Sequence, residues 1–350
     1  MKKRVVLYAA KFMNIYLDLT KCLEGMNFEV VWLEANTIPN NPFNKTLGLY
    51  NQKNIDDYML KATIKWEQIL KEDKLKEPIE YFISIVGIDI PPFVFEELGN
   101  RNAKLRKVLY LYDRVEGVYQ IDSFFKYYDE VFSFDRSDCK QFGLTLLPIY
   151  WVPTANEIDC NTYDIFAFAS YSVLKPERTD LFRKFKHLAK QNGYKEFIKL
   201  YDSSYAKNKT FFIIKNLIKG ILGQNALTLQ DFCRGLITGY SVMPDQYRKL
   251  ISCSKVIFDT QAPYQDGLTA RFMWALGAGK KIITTNPHVV DYDFFNEEQI
   301  YVLSGNNIEV EEFIHTIYTP HPDKLSKILP YRIDNWIKTI LRSNPLKIVE

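Results

Sequence analysis

Short runs of apolar residues alternate with segments of helical periodicity along the chain. In the first half, the apolar runs predict strands at residues 4–9, 28–33, 81–86, 107–112, 130–134 and 144–148. Helical spacing of apolar positions predicts helices between these strands, the longest at residues 54–71. Because strands that alternate with helices form parallel sheets covered on both faces, this half predicts a doubly wound α/β domain.

The same alternation starts again after Pro153. Strands are predicted at residues 164–169, 196–201, 255–259, 282–285 and 300–303, and helices at 177–191, 244–252 and 310–318. We therefore predict two Rossmann-like, doubly wound α/β domains that face a cleft, at residues 1–153 and 160–322. Residues 323–350 form a C-terminal helix and tail, and we expect the helix at 324–341 to return to the N-terminal domain.

The composition is that of an ordinary globular protein, with 47% apolar and 25% charged residues among 350. A net charge of +3 is too small for a protein that wraps nucleic acid, so no nucleic-acid partner is expected. The start of the chain resembles a first strand more than a signal peptide, and no apolar run is long enough to cross a membrane. The cysteines are scattered and lack metal-binding spacing, so we expect free thiols and a cytoplasmic protein. They are Cys22, Cys139, Cys160, Cys233 and Cys253.

The segment at residues 255–286 is the first candidate for ligand binding, because it combines a strand, a helix and a second strand. Gly267 stands at the mouth of the helix, where free backbone N–H groups and a partial positive charge suit a phosphate. Thr269 adds a hydroxyl group, and Arg271 can bind a diphosphate with two donors. The alternative is an ordinary helix start, in which Asp266 caps the helix and Arg271 is solvated.

Two further segments follow predicted strands. In Ser170–Arg178, SYSVLKPER, two cations stand at the start of a helix, Lys175 and Arg178. Cations oppose the helix dipole there, so either an anion lies between them or the loop is simply solvated. Asp113 ends the strand of VLYLYDRVEG, where it can serve as a general base toward an acceptor hydroxyl or as a turn residue.

Residues 207–223, KNKTFFIIKNLIKGILG, contain four lysines and no acidic residue. This composition is compatible with a helix that dips into an anionic bilayer surface. The simpler interpretation is a helix that packs its apolar face on its own domain and leaves a basic face outside.

Two blocks of the sequence resemble bacterial surface-polysaccharide glycosyltransferases of the GT-B fold, in particular the CgeB-like proteins of lipopolysaccharide and capsule biosynthesis. The first block is similar to a family pattern in which an aromatic residue and Asp end a strand and the segment FD-x-V-x-SFD-x-x-D follows. The second is similar to Q-x-G-L-T-x-R-x-x-E followed by G-K-K-x-I-T-x-N. The matching positions are Tyr112-Asp113, residues 128–138, Gln265, Gly267, Leu268, Thr269, Arg271 and residues 279–286.

This resemblance implies a hexosyltransferase-type glycosyltransferase. Because its cations can stabilise the departing diphosphate, we expect the enzyme to need neither a metal ion nor a cofactor. The C-terminal domain would bind a nucleotide-diphosphate sugar, and the N-terminal domain a glycan or lipid-linked glycan acceptor. Asp113 would be the catalytic residue. The enzyme would work in the cytoplasm with a peripheral contact to the inner face of the cytoplasmic membrane. The motif places Gln265, Gly267, Leu268, Thr269 and Arg271 in the donor site. To these we add the residues of the loop after the first strand of that domain, Ser170, Lys175 and Arg178.

One position departs from the family pattern. The family has Glu three residues after the Arg, where it would hold the ribose hydroxyls, and this chain has Trp274. The departure favours one alternative, a degenerate non-catalytic GT-B assembly protein. A GT-B-like nucleotide-sugar epimerase is a second alternative. A dinucleotide oxidoreductase is not expected, because no Gly-rich fingerprint follows the first strand.

Overall fold

The computed structural model describes residues 2–43, 51–85, 88–153, 162–261, 265–303, 310–319 and 322–342. Contacts divide these residues into two compact units. The first unit lies within residues 1–150, 265–267 and 330–350, and the second within 151–264 and 268–329.

The described part of the first unit is built on a six-stranded parallel sheet. Its strands are β1 (Lys3–Ala9), β2 (Phe28–Glu34), β3 (Tyr81–Ile85), β4 (Arg106–Leu111), β5 (Glu130–Ser133) and β6 (Thr145–Leu146), in the order β2-β1-β3-β4-β5-β6. Its first four helices are α1 (Ile15–Gly25), α2 (Gln52–Ile69), α3 (Pro92–Arg101) and α4 (Arg136–Phe142). Short 3-10 helices lie at Phe12–Asn14, Asp73–Leu75, Val115–Gly117 and Ile121–Tyr127.

The second unit repeats this plan in its described residues. Its parallel strands are β7 (Tyr163–Ser170), β8 (Glu196–Tyr201), β9 (Ile237–Thr238), β10 (Ser254–Asp259), β11 (Lys281–Thr284) and β12 (Ile300–Val302), in the order β12-β11-β10-β7-β8-β9. Its helices are α5 (Pro176–Gln191), α6 (Ser203–Lys207), α7 (Lys209–Ile221), α8 (Leu229–Cys233), α9 (Pro244–Ser252), α10 (Ala270–Gly277), α11 (Glu311–His315) and α12 (Pro322–Ile328). Further 3-10 helices are Pro287–Asp291 and Leu329–Tyr331.

The last helix, α13 (Ile333–Leu341), belongs to the first unit and packs against α1. Trp336 fixes it there, because its indole Nε1–H donates to the carbonyl of Pro148 at 2.9 Å and its ring meets Tyr110 edge-on at 4.7 Å. The predicted return of the C-terminal helix to the N-terminal half is therefore confirmed.

The predicted fold class, two Rossmann-like α/β halves with parallel sheets, is confirmed. Some local details differ: β9 and α4 were not predicted, and the helix expected at 324–341 is interrupted by the 3-10 turn around Pro330. Cys22, Cys139 and Cys233 are free, as expected, but Cys253 is disulfide-bonded, so the expectation of free thiols is wrong there. Cys160 lies outside the described residues.

Each unit has its own apolar core, and aromatic side chains fill much of it. Strand β1 is buried from Val5 to Ala9, as expected for a strand covered on both faces. In the second unit, Phe185 of α5 stacks on Phe258 of β10 with ring centroids 4.0 Å apart. Aromatic side chains therefore provide a substantial part of the packing in the described core.

Candidate functional site

The carboxyl ends of β7 and β10 lie side by side in the second sheet, because these strands pair directly. In such sheets, ligands bind beyond the carboxyl ends of the strands. Arg271 connects the two ends: its Nη1 donates to the carbonyl of Phe168 on β7 at 3.1 Å, and its Nη2 donates to the carbonyl of Thr260, just after β10, at 2.6 Å. The guanidinium group therefore lies at the place where the fold favours ligand binding.

Asp259, the last residue of β10, organises the start of α10. Its Oδ1 accepts hydrogen bonds from the Thr269 hydroxyl at 2.8 Å and from Arg271 Nε at 3.0 Å. Thr269 in turn caps α10, because its Oγ1 accepts the backbone N–H of Phe272. Burial lowers the pKa of Arg271, but its interactions with Asp259 and Tyr247 together more than offset this, so the pKa is raised overall. Asp259 is a site residue that the sequence analysis did not identify.

Lys175 and Arg178 lie at the start of α5, close to Arg271. Arg178 Nε donates to the Thr260 hydroxyl at 3.0 Å, so Thr260 contacts both arginines. Burial lowers the pKa of the Lys175 amine, and the positive charges of Arg178 and Arg271 lower it further. Three cations thus converge on one region, and Lys175, the N-cap residue of α5, provides no side-chain cap for the helix.

A pocket of about 260 Å³ lies beside these cations. It is lined by Lys175, Glu177, Arg178, Leu181, Thr260, Gln261, Thr285 and Pro287. The side-chain Oε1 of Gln261 is buried and accepts no hydrogen bond from any described residue. The pocket therefore offers cations, hydroxyl groups, one carboxylate and a hydrogen-bond acceptor in need of a donor. Of the predicted donor residues, Lys175 and Arg178 line it, and Ser170 lies nearby through its carbonyl, which accepts from Arg178 Nη1 at 3.4 Å.

Gly267, by contrast, packs within the first unit. Its backbone N–H donates to Asp135 Oδ2 at 3.1 Å, and the N–H of Asp266 donates to the same oxygen at 2.9 Å. The hydroxyl of Ser137 donates to the Asp266 carboxylate. The Gly267 N–H therefore binds a protein carboxylate in this structure, and its role toward a phosphate stays a prediction.

The absence of a side chain at Gly267 has a steric reason. A Cβ atom there would lie 2.4 Å from the ring of Phe134 and 2.6 Å from its carbonyl oxygen. Leu268, the next residue, is buried in the second unit, and Gln265 is partly buried. The motif Q-x-G-L-T-x-R thus has residues in both units: Gly267 belongs to the first unit, and Thr269 and Arg271 belong to the second.

Asp135 is part of a buried charged cluster in the first unit. Arg114 Nε lies 3.5 Å from both Asp135 Oδ1 and Asp138 Oδ1. Asp138 also accepts the backbone N–H of Val115 at 2.8 Å, and burial raises the pKa of its carboxyl group. This cluster holds the loop after β4, which carries Asp113, against the start of α4.

Asp113 follows β4 and has an exposed side chain. No described residue forms a hydrogen bond or an ion pair with its carboxylate. The protein around it still excludes enough water to raise the pKa of Asp113 above the usual value for an aspartate. An accessible carboxylate with a raised pKa is a suitable proton acceptor.

Trp274 is buried on α10 and packs against α9. Its ring meets Tyr247 edge-on at 5.7 Å, and the Arg248 guanidinium lies 5.5 Å from the ring centre. The buried indole Nε1–H has no hydrogen-bond partner among the described residues. Trp274 is not among the residues that line the pocket beside Lys175.

The described residues lack a metal-binding cluster and a membrane-spanning helix. They contain no group of three or more His, Cys, Asp or Glu residues that could hold a metal ion. No helix among them combines the length and apolar character needed to cross a membrane.

No family model and no curated protein matches the sequence. Several solved structures resemble the fold at low sequence identity. Sucrose-phosphate synthase from Thermosynechococcus elongatus superposes with a TM-score of 0.57 at 11% identity, over 97% of this chain and 97% of that chain. The α,α-trehalose-phosphate synthase (UDP-forming) from Burkholderia vietnamiensis superposes with a TM-score of 0.55 at 10% identity, over 97% of this chain and 96% of that chain. MnaA of S. aureus, in a co-structure with UDP, superposes with a TM-score of 0.52 at 11% identity, over 97% of this chain and 95% of that chain. These likenesses show a two-domain, Rossmann-like α/β fold of the GT-B type.

Proposed function

We propose that this protein is a glycosyltransferase that moves a sugar from a nucleotide-diphosphate sugar to a glycan acceptor in bacterial surface-polysaccharide biosynthesis. One observation carries the proposal: Lys175, Arg178 and Arg271 converge at the carboxyl ends of β7 and β10, beside a pocket of about 260 Å³. This is the position where doubly wound sheets bind nucleotides.

The cations suit a diphosphate. Desolvated positive charges that lower the pKa of a neighbouring lysine favour a multivalent anion, because the anion removes their mutual repulsion. During transfer, negative charge develops on the departing diphosphate, and fixed cations stabilise it without a metal ion. In this proposal, Lys175 and Arg178 contact the diphosphate. Arg271 contributes its charge while its bonds to Asp259, Phe168 and Thr260 hold the strand ends.

The rest of the predicted donor motif shapes the site. Thr269 fixes the start of α10 through Asp259, and Gly267 and Leu268 set the path of the chain into it. Glu177 and Gln261 are the pocket residues whose oxygens can accept ribose or sugar hydroxyls, a role that the family gives to the Glu replaced here by Trp274. The solved structures support UDP as the first nucleotide to try, since one is described as UDP-forming and another was determined with UDP.

The acceptor is proposed to be a glycan of lipopolysaccharide, O-antigen or capsule, carried on a lipid. The motif resemblance supports this class, and an exposed basic and apolar helix in the second unit supports a peripheral membrane contact. Asp113, with its raised pKa, is the proposed base that accepts the proton of the acceptor hydroxyl.

Thermal unfolding with nucleotides tests the donor site. Millimolar UDP, GDP, dTDP or CMP should raise the melting temperature of the full chain, because a ligand that binds only the folded state stabilises it. UDP-sugar consumption with a lipid-linked glycan then tests the chemistry. If no nucleotide raises the melting temperature, the proposal fails at its first step.

A non-catalytic binding protein is the second candidate, and Trp274 is the observation that favours it. Its buried side chain replaces the carboxylate that the family pattern places at this position. Nucleotide binding without any sugar transfer or donor hydrolysis would support this alternative over the enzyme.

A further inference from the structure

Helix α7 presents apolar side chains to solvent. Phe211 is 63% exposed and Ile221 85% exposed, and Ile214, Ile218 and Leu222 are exposed as well. At 3.6 residues per turn, these five positions fall within an arc of roughly 100° on one side of the helix. The apolar residues therefore form one continuous stripe, in contrast to the expectation that this segment would bury its apolar face on its own domain.

The opposite side of α7 is anchored in the second unit. Phe212 is buried and meets the rings of Tyr205 and Phe232 edge-on at 5.5 and 6.3 Å. Asn216 is also buried, and its Oδ1 accepts from the Leu227 backbone N–H and the Tyr171 hydroxyl, both at 3.3 Å. The helix is thus fixed with its apolar stripe directed away from the unit.

The chain segment that carries the stripe has charges of one sign. Between Asp202 and Asp231 the chain has four lysines and no acidic residue. Lys215 and Lys219 of α7 line a groove of about 210 Å³ together with Val173 of the β7–α5 loop, and Asp202 lines it as well. Leu174, the next residue of that loop, is almost fully exposed. Because this loop also carries Lys175, the apolar and basic surface adjoins the proposed donor site.

We propose that the outward stripe of α7 lies in the interface of a bilayer that contains anionic lipids. An apolar face with flanking lysines matches the acyl and headgroup layers of such a bilayer. This inference rests on the proposed function, in which the acceptor glycan is carried on a lipid. Vesicle binding itself needs no nucleotide and no transfer activity, so a failure here is distinguishable from a failure of the proposed enzyme.

Co-sedimentation of the full chain with phosphatidylcholine vesicles, with and without phosphatidylglycerol, tests the proposal. We expect binding to vesicles with phosphatidylglycerol, weakened by high salt. The pair Lys215→Gln and Lys219→Gln should lower this binding at least about tenfold, since each lysine near an anionic surface adds to the attraction. The pair Phe211→Ser and Ile221→Ser should abolish it.

The matched control is the pair Leu60→Ser and Ile64→Ser on α2, where two exposed apolar residues lie one helical turn apart in the first unit. These changes should leave vesicle binding unaltered. An unchanged melting temperature in the absence of ligand would show that the α7 variants remain folded. The proposal is overturned if the chain does not bind anionic vesicles, or if the α7 variants bind them as well as the wild type does. It is equally overturned if the chain forms a dimer in solution that the Phe211→Ser and Ile221→Ser pair dissociates, without vesicle binding.

Discussion

The backbone N–H of Gly267 donates a hydrogen bond to Asp135 Oδ2 at 3.1 Å. Gly267 and Asp135 belong to the two motifs that carry the resemblance to GT-B glycosyltransferases, SFD-x-x-D and Q-x-G-L-T-x-R. Their contact gives a structural reason for both motifs. The Asp135 carboxylate binds the backbone of the turn before α10. The ring of Phe134 occupies the space that the side chain of any residue larger than Gly267 would need. The glycine is thus required by packing, whether or not a phosphate binds nearby.

Gly267→Ala should destabilise the protein. The added Cβ would lie 2.4 Å from the Phe134 ring, and overpacking of this kind costs about 1–3 kcal/mol. Denaturant unfolding measures the change. Gly99→Ala on α3 is the control, because a Cβ there meets nothing within 4 Å and alanine favours a helix. Equal stabilities for the two variants would contradict the proposed packing role.

Asp259→Ala should destabilise the protein more than Gly267→Ala does. It would leave the guanidinium of Arg271 without its carboxylate, and removing one partner of a buried ion pair typically costs about 3–5 kcal/mol. The variant should also lose UDP affinity, since Thr269 and Arg271 both depend on Asp259 for their positions. Chemical denaturation and UDP titration measure the two effects, and a variant with full stability would show that Asp259 is dispensable.

The affinity for UDP should fall in alkaline solution. Burial and the neighbouring arginines lower the pKa of Lys175, so its amine loses its proton at a lower pH than an ordinary lysine does. A diphosphate prefers the protonated amine, and its binding therefore raises this pKa and takes up protons. Calorimetry in buffers of different ionisation enthalpy should detect the uptake. Lys175→Gln should remove the pH dependence, and its persistence in that variant would assign it to another group.

Asp113→Asn should lower the rate of sugar transfer by about 10²–10⁴-fold and leave UDP affinity unchanged, as expected for loss of a general base. Since the surrounding protein excludes water and raises the pKa of Asp113, the protonated and inactive form persists to a higher pH than for an ordinary aspartate. The wild-type rate should accordingly rise with pH through this raised pKa. Transfer assays across pH measure both effects. An unchanged rate in Asp113→Asn would remove Asp113 from the mechanism.

Much of the fold could be predicted from sequence, because buried parallel strands are continuous apolar runs with few alternatives. The exceptions have physical causes. The two-residue strand β9 is too short to give a pattern, and Pro330 breaks a helix that otherwise keeps its apolar spacing.

The site was predictable in part. Lys175 and Arg178 stand out because they follow a strand and begin a helix. The partner of Gly267 lies 132 residues away, so no local pattern could indicate it. The exposed face of α7 could not be predicted from the sequence either. Phe211 and Phe212 are chemically identical, and only tertiary packing decides that Phe212 is the buried one.

In the proposed function, Lys175 and Arg178 hold the diphosphate of the donor. Calorimetric titration of UDP into the wild type and into the pair Lys175→Gln and Arg178→Gln tests these two contacts. Lys190→Gln, at the exposed far end of α5, serves as the charge-matched control for a single lysine. We predict saturable UDP binding that Lys190→Gln retains and the pair loses by at least about a hundredfold, as expected for two charge-assisted contacts. UDP binding of equal affinity in the folded pair and the wild type would contradict it.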